Sequence, residues 1–359
     1  MAYRDFPSGV DDTGRRLDRV ARRLLRGVKL GDVYAHIRKG RIRVNGRKRA
    51  SGYRICEGDA LQVHESMISS IEDRWGQSSQ SKQRSTSDRS DTEAALPARS
   101  LEQAIVFENE HLLCINKPRG IDVHGKNSLD TWVGSYITRG KPRSLSFRPG
   151  PVHRIDRNTT GVVFFGKTTW AQRRMSEYMR EGSPKKIYLA VLDGALRSPT
   201  VWSDTLFRDE QTRESRGGRS RERSKNQAEK TVGNAFSSRS SERARGQKAV
   251  TGVHPMLWTE NATLALCTIR SGKTHQIRAQ AGLHGHPLTG DAKYGGSNDS
   301  EGYILHALAF ILPEYDNGLG LRCVYAEPPE GVLERIGYRV GDIELERILE
   351  SVDQAAATV

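Results

Sequence analysis

Apolar residues near the N-terminus recur at helical spacing in the segment RRLDRVARRLLRG, residues 15–27. Five of them follow the i, i+3, i+4, i+7, i+8 pattern of one helix face: Leu17, Val20, Ala21, Leu24 and Leu25. The arginines lie on the opposite face, and Gly27 is a suitable residue to end the helix. A second short helix is predicted from Leu30 to Lys39, ending at Gly40. RIRVNG, with its Asn-Gly turn, and DALQVHE then predict a small hairpin. Residues 15–64 are therefore expected to form a compact unit of two helices and a small sheet.

Short apolar segments predict the strands of a second, larger unit, residues 101–345. Five segments have this character: HLLCIN (111–116), GVVFFG (161–166), KIYLAVL (186–192), TLALCTI (263–269) and ILHALAF (304–310). Helices are predicted at 169–181, at 274–283 and near the C-terminus. Several strands alternate, which predicts one buried face and one face that is exposed or lines a groove. Strands outnumber helices without a regular βα repeat, so the pattern favours an α+β fold.

Two polar segments interrupt these units. Residues 76–100, GQSSQSKQRSTSDRSDTEAALPARS, are Ser-rich and cannot build a core. We expect a flexible linker that lets the two units move independently until a partner binds. Residues 208–248 hold twelve basic and six acidic residues, and we expect a disordered basic insertion in a loop.

The net charge of +14 and a pI near 9.8 indicate a polyanionic partner, with nucleic acid as the first candidate. The positive charge is concentrated, because residues 15–64 alone hold fifteen Lys or Arg against four Asp or Glu. The N-terminus lacks the apolar stretch of a signal peptide, and no run of apolar residues is long enough for a membrane span. The four cysteines form no Cys-x-x-Cys pair and are expected to be buried thiols. These features predict a cytoplasmic protein with no membrane partner, and a monomer is the default.

The strongest chemical motif is PVHRIDRNTTGVVFFGKT, residues 151–168. Its carboxylate, Asp156, lies between Arg154 and Arg157, and nearby positive charge keeps an aspartate ionised. An ionised carboxylate suits a nucleophile or a general base. Taken alone, the same residues also fit an Arg-Asp-Arg ladder that holds a surface turn.

Four further motifs accompany it. They are INKPRGIDVHG (115–125), KKIYLAVLDG (185–194), IRSGKTHQIRAQAGLHGHPLTGDAKYGG (269–296) and LHA (305–307). Each is weak by itself: Lys-Pro turns are common, and Tyr188 in the second motif fits a core position. The Gly-Lys-Thr of the third lacks the full spacing of a phosphate-binding loop.

In this order, the motifs resemble those of the RluA/RluC-type pseudouridine synthases, over essentially all of residues 101–345. HRIDRNTTG is similar to the family's His-Arg-Leu-Asp-Arg-Asp-Thr-Ser-Gly. RRLDRVARRLL and IRVNG resemble the RNA-binding domain first described in ribosomal small-subunit protein four. The resemblance implies a mixed, largely antiparallel central sheet flanked by helices, plus a small N-terminal α/β RNA-binding domain. It also implies isomerisation of uridine to pseudouridine in RNA, without a metal or an organic cofactor.

The resemblance also implies roles for individual residues. Asp156 matches the family's catalytic aspartate, Arg278 the arginine that pairs with it, and Tyr188 a tyrosine that stacks on the target base and moves a proton. Leu305 matches an apolar residue against the base, and Arg154 an arginine that fills the gap left by the flipped nucleotide. Further substrate contacts are expected from Lys117, His275 and Gln276. RNA-binding side chains are expected in the N-terminal unit: Arg15, Arg16, Arg19, Arg22, Arg23, Arg38, Lys39, Arg41 and Arg43.

The departures from the family pattern are mild. Among them, Lys273 stands where arginine is usual and Gln280 where the family often has histidine. They concern RNA contacts and leave the proposed catalytic set intact.

Three alternatives stay open. A glycosidase needs a second carboxylate, for which Asp122 and Asp291 are the candidates near these motifs. A ribosome-assembly RNA-binding protein explains the charge but not the set of Asp, Tyr and Arg. Within the enzyme hypothesis, the attached RNA-binding domain favours 23S ribosomal RNA as the partner over transfer RNA.

Overall fold

The computed structural model describes residues 2–25, 27–67, 98–139, 144–208, 215–218, 246–297, 299, 301–313 and 318–329. Most of the predicted linker, most of the predicted insertion and the predicted C-terminal helix lie outside these residues. Within the described part of the chain, no helix is long and apolar enough to cross a membrane.

The N-terminal unit contains helices α1 (Leu17–Leu24) and α2 (Leu30–Arg38) and strands β1 (Tyr3–Pro7), β2 (Ile42–Val44) and β3 (Ala60–His64). The sheet is antiparallel in the order β1-β3-β2. All five residues of the predicted helix face are buried in its core, and Asn45 and Gly46 both have positive φ, as a tight hairpin turn requires. The predicted boundary at residue 15 is too late, because β1 pairs with β3 along its whole length. α1 also ends before Gly27, at Leu24, with Leu25 as its C-cap.

The larger unit is built on one sheet of eleven strands. Its strands are β4 (Ile105–Glu108), β5 (Leu112–Lys117), β6 (Gly150–Pro151), β7 (Thr160–Gly166), β8 (Lys185–Asp193), β9 (Thr200–Arg208), β10 (Ser215–Gly218), β11 (Gln247–Trp258), β12 (Ala262–Ile269), β13 (Leu305–Ile311) and β14 (Cys323–Tyr325). The order is β10-β9-β11-β12-β8-β13-β7-β5-β4, with β14 on β13 and β6 on β7. The pairing of β7 with β13 is parallel and the other pairings of the described strands are antiparallel. The predicted α+β class and mixed sheet are confirmed.

Four helices flank this sheet: α3 (Ala98–Gln103), α4 (Leu129–Ile137), α5 (Thr169–Glu181) and α6 (Gln276–Leu283). Successive residues of β7 point to opposite faces. Val163 and Phe165 join one core cluster with Tyr188, whereas Val162 and Phe164 pack with α5 on the other face. β7 is buried along its whole length, so the predicted exposed face is wrong for this strand. α5 covers the second face.

Several boundaries differ from the predictions. Residues 98–100 belong to α3 and not to a linker. Within the predicted insertion, β10 extends the sheet beside β9, and β11 begins at Gln247. Strand β11 carries Gly252 and Pro255, with a register shift after Pro255, and such residues weaken the strand pattern of a sequence. Two of the four cysteines, Cys56 and Cys323, are exposed, so the expectation of buried thiols is wrong for them.

The two units are joined by a network of hydrogen bonds. The buried carboxylate of Asp12 accepts hydrogen bonds from the Ser144 hydroxyl, from the Leu145 amide and from both the amide and the hydroxyl of Ser146. Burial acts to raise the pKa of Asp12, but these bonds outweigh it and lower the pKa. The Asp11 carboxylate also accepts from the Thr169 amide at the start of α5, at 2.7 Å. The N-terminal unit is therefore docked on the larger one, contrary to the expected independence.

Candidate active site

Three neighbouring strands bring the predicted catalytic residues together. Asp156 lies in the turn that leads into β7. β7 pairs with β13 at Gly161 and Ala307, and Ala307 pairs in turn with Tyr188 on β8. Gly161 has a φ of +106°, and a Cβ atom there would lie 2.2 Å from the Ala307 carbonyl oxygen. Only glycine permits both that conformation and that close approach. The sequence Thr-Thr-Gly after Asp156 thus sets the distance between the turn and the tyrosine strand.

Asp156 faces two basic side chains. One of its carboxylate oxygens lies 3.5 Å from Nη1 of Arg278 and 3.7 Å from Nε2 of His275. The Asp156 side chain is 22% exposed, so a substrate can reach a carboxylate that is otherwise enclosed. The predicted pairing of Asp156 with Arg278 is present in the structure.

Arg278 is held by three residues whose contact with it was not predicted from the sequence. Its Nε and Nη2 donate to the two oxygens of the buried Asp291 carboxylate, at 2.7 and 2.8 Å. Its guanidinium carbon lies 4.2 Å from the ring centre of Tyr303 and 5.2 Å from that of Tyr294. Burial acts to lower the pKa of Arg278, but the hydrogen bond to Asp291 and the nearby acidic groups raise it. The guanidinium therefore stays charged and fixed, with Nη1 directed at Asp156.

Tyr188 is 9% exposed and packs in the same core cluster as Leu305. Burial and the charge of Asp156 raise the pKa of its phenol. The hydroxyl is therefore protonated at neutral pH and is a hydrogen-bond donor rather than a base. Leu305 pairs with Ala190, two residues along the face of β8 that carries Tyr188. The structure thus brings Tyr188 and Leu305 together on one side of Asp156.

Lys117 was expected to contact the substrate, but its side chain is fully buried. Its ammonium group donates to the carbonyl oxygens of Pro118, Ile121 and Arg157, at 2.8 to 2.9 Å. Arg157 directly follows Asp156, and its carbonyl also accepts from the Gly120 amide. Burial lowers the pKa of Lys117 to about 7, opposed by the charges of Asp122 and Asp156. The Lys117 ammonium group therefore joins the turn after β5 to the turn that contains Asp156, and no donor is left for a substrate.

Gln276 was also expected to contact the substrate and is likewise buried. Its amide nitrogen donates to the Val250 carbonyl and to the Thr251 hydroxyl, and its oxygen accepts from Ser271 and from the Lys273 amide. The side chain ties α6 to β11 and to the preceding turn. Substrate contact is therefore wrong for Gln276, because its hydrogen-bonding groups are used within the fold.

Gln280 stands where the family often has histidine, and its surroundings show what this glutamine does. Its side chain is fully buried, accepts from the Thr251 hydroxyl and donates to Asp204 and to two backbone carbonyls. Replacement of the family's histidine here therefore changes an internal network and not an exposed RNA contact.

His275 occupies the N-cap of α6 with a left-handed φ of +53°, a conformation that is uncommon outside glycine but enriched in asparagine, aspartate and histidine. Its Nδ1 lies 2.8 Å from the Tyr294 hydroxyl, which leaves Nε2 facing Asp156. Burial lowers the pKa of His275, and Asp156 opposes this effect. Of Lys117, His275 and Gln276, which were expected to contact the substrate, only His275 forms an ion-pair contact with the Asp156 carboxylate.

Arg154 is exposed and lies two residues before Asp156. Among the described residues, it makes no hydrogen bond or ion pair, so its side chain is available to a substrate.

The expected RNA-binding residues of the N-terminal unit fall into two groups. Six are exposed and lie on or near α1 and α2: Arg19, Arg22, Arg23, Arg38, Lys39 and Arg41.

The other three expected RNA-binding residues make contacts within the fold. Arg16 is exposed but donates twice to Asp18. Arg43 donates to the Gly40 carbonyl and lies over the ring of Tyr3. Arg15 donates to the Ser146 carbonyl and to the Thr169 hydroxyl of the larger unit. Arg15 and Arg43 are thus committed to the fold, and Arg16 to an ion pair at the surface.

The carboxylates near Asp156 do not form the pair that a glycosidase uses. Asp291 is buried and fully engaged by Arg278, and the half-exposed Asp122 lies 3.8 Å from the Arg157 guanidinium. In the described residues, no group of three or more His, Cys, Asp or Glu side chains is arranged to hold a metal ion.

The RNA pseudouridylate synthase family model matches residues 111–282, which include Asp156, Tyr188 and Arg278. Ribosomal large subunit pseudouridine synthase C of Salmonella typhi is 29% identical over 294 residues, 80% of this chain and 78% of that protein. The corresponding protein of Vibrio parahaemolyticus is 26% identical over 337 residues, 91% of this chain and 93% of that one. These similarities support the predicted relationship to the RluA/RluC-type pseudouridine synthases.

Pseudouridine synthases are isomerases, so the same similarities support this class of enzyme for the chain. Its fold agrees with that of human RNA pseudouridylate synthase domain containing 4, at a TM-score of 0.51 and 21% identity, over 65% of this chain and 91% of that one. Human RNA pseudouridylate synthase domain containing 1 gives the same TM-score at 18% identity, over 72% and 96% of the two chains.

Proposed function

We propose that this pseudouridine synthase acts on uridine in large-subunit ribosomal RNA, with Asp156 as the catalytic carboxylate. The observation that carries the assignment of Asp156 is its position opposite Arg278, which Asp291 holds in place. Two considerations support the ribosomal substrate. The similar proteins from Salmonella and Vibrio are named for the ribosomal large subunit, and a strongly basic unit is attached to the body.

In the proposed reaction, the bond between N1 of uracil and C1′ of ribose breaks, the base turns, and C5 bonds to C1′. The hydrogen on C5 leaves as a proton and N1 takes up a proton, so the atoms of substrate and product balance. Asp156 starts this sequence by attacking the nucleotide or by abstracting a sugar proton, and both routes require an ionised carboxylate. The Arg278 guanidinium lies 3.5 Å from the carboxylate and would orient it.

The uridine must first leave its stack, which costs about a few kcal/mol. Arg154 is exposed beside Asp156 and would fill the vacated space. Tyr188 and Leu305 would hold the extruded base, and stacking on an aromatic ring contributes about 1–3 kcal/mol. Because the Tyr188 phenol keeps its proton, it would donate that proton to the base or hydrogen-bond to it.

The substrate assignment is tested with RNA tritiated at C5 of uridine. Purified protein is expected to release tritium from a large-subunit ribosomal RNA transcript and to leave a transfer RNA pool of equal uridine content unchanged. Carbodiimide labelling then locates the modified uridines in the transcript. Release from the transfer RNA alone would replace the ribosomal substrate with the transfer RNA alternative. Tight binding of the ribosomal transcript with no release from either RNA would favour the ribosome-assembly alternative.

The N-terminal unit is proposed to bind RNA phosphates through its exposed arginines. Joint replacement of Arg19, Arg22 and Arg38 by alanine should weaken RNA binding. It should also make the slope of log K against log salt less steep by up to about three, since each lost phosphate contact reduces it by about one. Filter binding across a salt series measures both. Replacing three exposed cations of the larger unit, Arg139, Arg197 and Lys248, is the charge-matched control, and an equal change in both variants would argue against a role specific to the N-terminal unit.

A further inference from the structure

An open cavity of about 350 Å³ lies beside α5, at the place where the N-terminal unit docks. One wall is a stripe of that helix, with residues three or four positions apart, which places them on one face: Thr169, Gln172, Arg173, Ser176 and Arg180. The opposite wall contains Arg15 of the N-terminal unit and Phe147. We refer to this space as the arginine cavity. It exists only because the hydrogen bonds of Asp11 and Asp12 hold the two units together.

The charge of the arginine cavity is unbalanced. Three arginines line it against one carboxylate, that of Glu177. Burial and the nearby positive charge of Arg173 lower the pKa of Arg15, while Asp12 and Asp11 oppose this effect. The two aspartates cannot move into the cavity, because Asp12 is bonded to residues 144–146 and Asp11 to Thr169. A bound anion would relieve the repulsion between Arg15 and Arg173.

The cavity also offers hydrogen-bond donors. The Nε of Arg15 is buried without a hydrogen-bond partner among the described residues, and Arg173 and Arg180 are exposed. Arg173 and Arg180 are separated by about 10 Å along the helix axis, at 1.5 Å per residue. The Gln172 side-chain amide lies on the same stripe, whereas the Ser176 hydroxyl donates its proton to the Gln172 backbone carbonyl. Guanidinium forks and a neutral amide in this arrangement match the phosphate groups of an extended polyanion better than a single small anion.

We propose that the arginine cavity binds phosphodiester groups of the RNA substrate, at a second contact far from the catalytic turn. This inference rests on the proposed function, since it assumes an RNA substrate. α5 packs against Phe164 on the face of β7 opposite to Tyr188. Asp156 precedes the start of β7, whereas α5 follows its end, and β7 itself is about 20 Å long at 3.3 Å per residue. Only an RNA long enough to pass around the sheet can occupy both places.

The test compares two RNAs that carry the same modified uridine: a large-subunit ribosomal RNA transcript and a short stem-loop cut from it. Joint replacement of Arg173 and Arg180 by alanine should raise Kd for the transcript about five- to tenfold. The salt slope should become less steep by about two. Both kcat and binding of the stem-loop should stay unchanged. Joint replacement of Arg139 and Arg197, two exposed arginines elsewhere on the larger unit, is the charge-matched control. Equal melting temperatures exclude a folding defect.

Two outcomes would overturn the proposal: no change with the transcript, or equal weakening for both RNAs. Sodium phosphate added at constant ionic strength distinguishes a phosphodiester site from a site for the free ion. With phosphate present, the wild type should still bind the transcript more tightly than the double variant. If millimolar phosphate makes the two Kd values equal, the cavity is a site for the free ion rather than for RNA phosphodiesters. Binding is measured by fluorescence anisotropy without turnover. If no RNA is modified at all, the proposed function fails, while the binding comparison still decides the cavity.

Discussion

Replacing Asp156 with asparagine is expected to abolish turnover, with a loss of more than about 10³-fold in kcat, equivalent to about 4 kcal/mol of transition-state stabilisation. The amide has the shape of the carboxylate but can neither attack nor accept a proton as a base. The Asp156 carbonyl, which accepts from the Thr159 amide, is unaffected, so the turn should keep its conformation. Binding of RNA should stay within about twofold, since the lost interaction acts on the reaction rather than on binding.

The measurement is tritium release from C5 in a single turnover, alongside direct RNA binding. Asp122→Asn is the control, because Asp122 is a half-exposed carboxylate held beside the same turn. That variant should keep near-normal activity. Full activity of Asp156→Asn would refute the assignment, whereas equal inactivation by both substitutions would indicate a two-carboxylate mechanism of the glycosidase kind.

The elements predicted from the sequence were those with a strong, uninterrupted pattern. α5 was predicted at its observed bounds, because Ala171, Met175 and Tyr178 form a buried stripe and Gly182 follows with a positive φ. α4 was missed although Leu129, Val133 and Ile137 have helical spacing. Its interior carries glycine, aromatic and β-branched residues, which have low helix propensity. β1 was missed since it is a short edge strand without a buried residue.

The residues of the catalytic site could be predicted because they lie in short motifs, but their partners lie in other parts of the chain. Asp291 and Tyr294 stand inside a quoted motif, yet nothing local indicates that they enclose Arg278. Tyr303 contacts the same guanidinium from just before β13. A motif also does not show which way a side chain points. Lys117 and Gln276 lie in such motifs and turn into the fold, where backbone carbonyls and neighbouring polar groups satisfy them.

Lys117→Met is the substitution with the second largest expected effect. Methionine preserves most of the apolar stem but leaves the carbonyls of Pro118, Ile121 and Arg157 without their shared donor. The Arg157 carbonyl keeps its bond from the Gly120 amide, so two carbonyls lose their donor. An unpaired buried polar group costs about 1–3 kcal/mol, so the protein should be destabilised by at least about 2 kcal/mol. That lowers the melting temperature by roughly 4–8 °C.

The same substitution should lower kcat at least about tenfold, because an error of about 1 Å in the placement of a catalytic group can cost two orders of magnitude in rate. Arg157 would lose the bond from the ammonium but keep the one from Gly120, so the turn containing Asp156 should shift rather than unfold. A positioning role predicts that kcat falls at 20 °C, well below the melting transition, while Kd for RNA is unchanged. Lys126→Met removes an exposed lysine nearby and should alter neither quantity. A lower melting temperature with normal kcat would show that Lys117 only stabilises the fold. Weaker RNA binding with normal kcat would instead support the original prediction that Lys117 contacts the substrate.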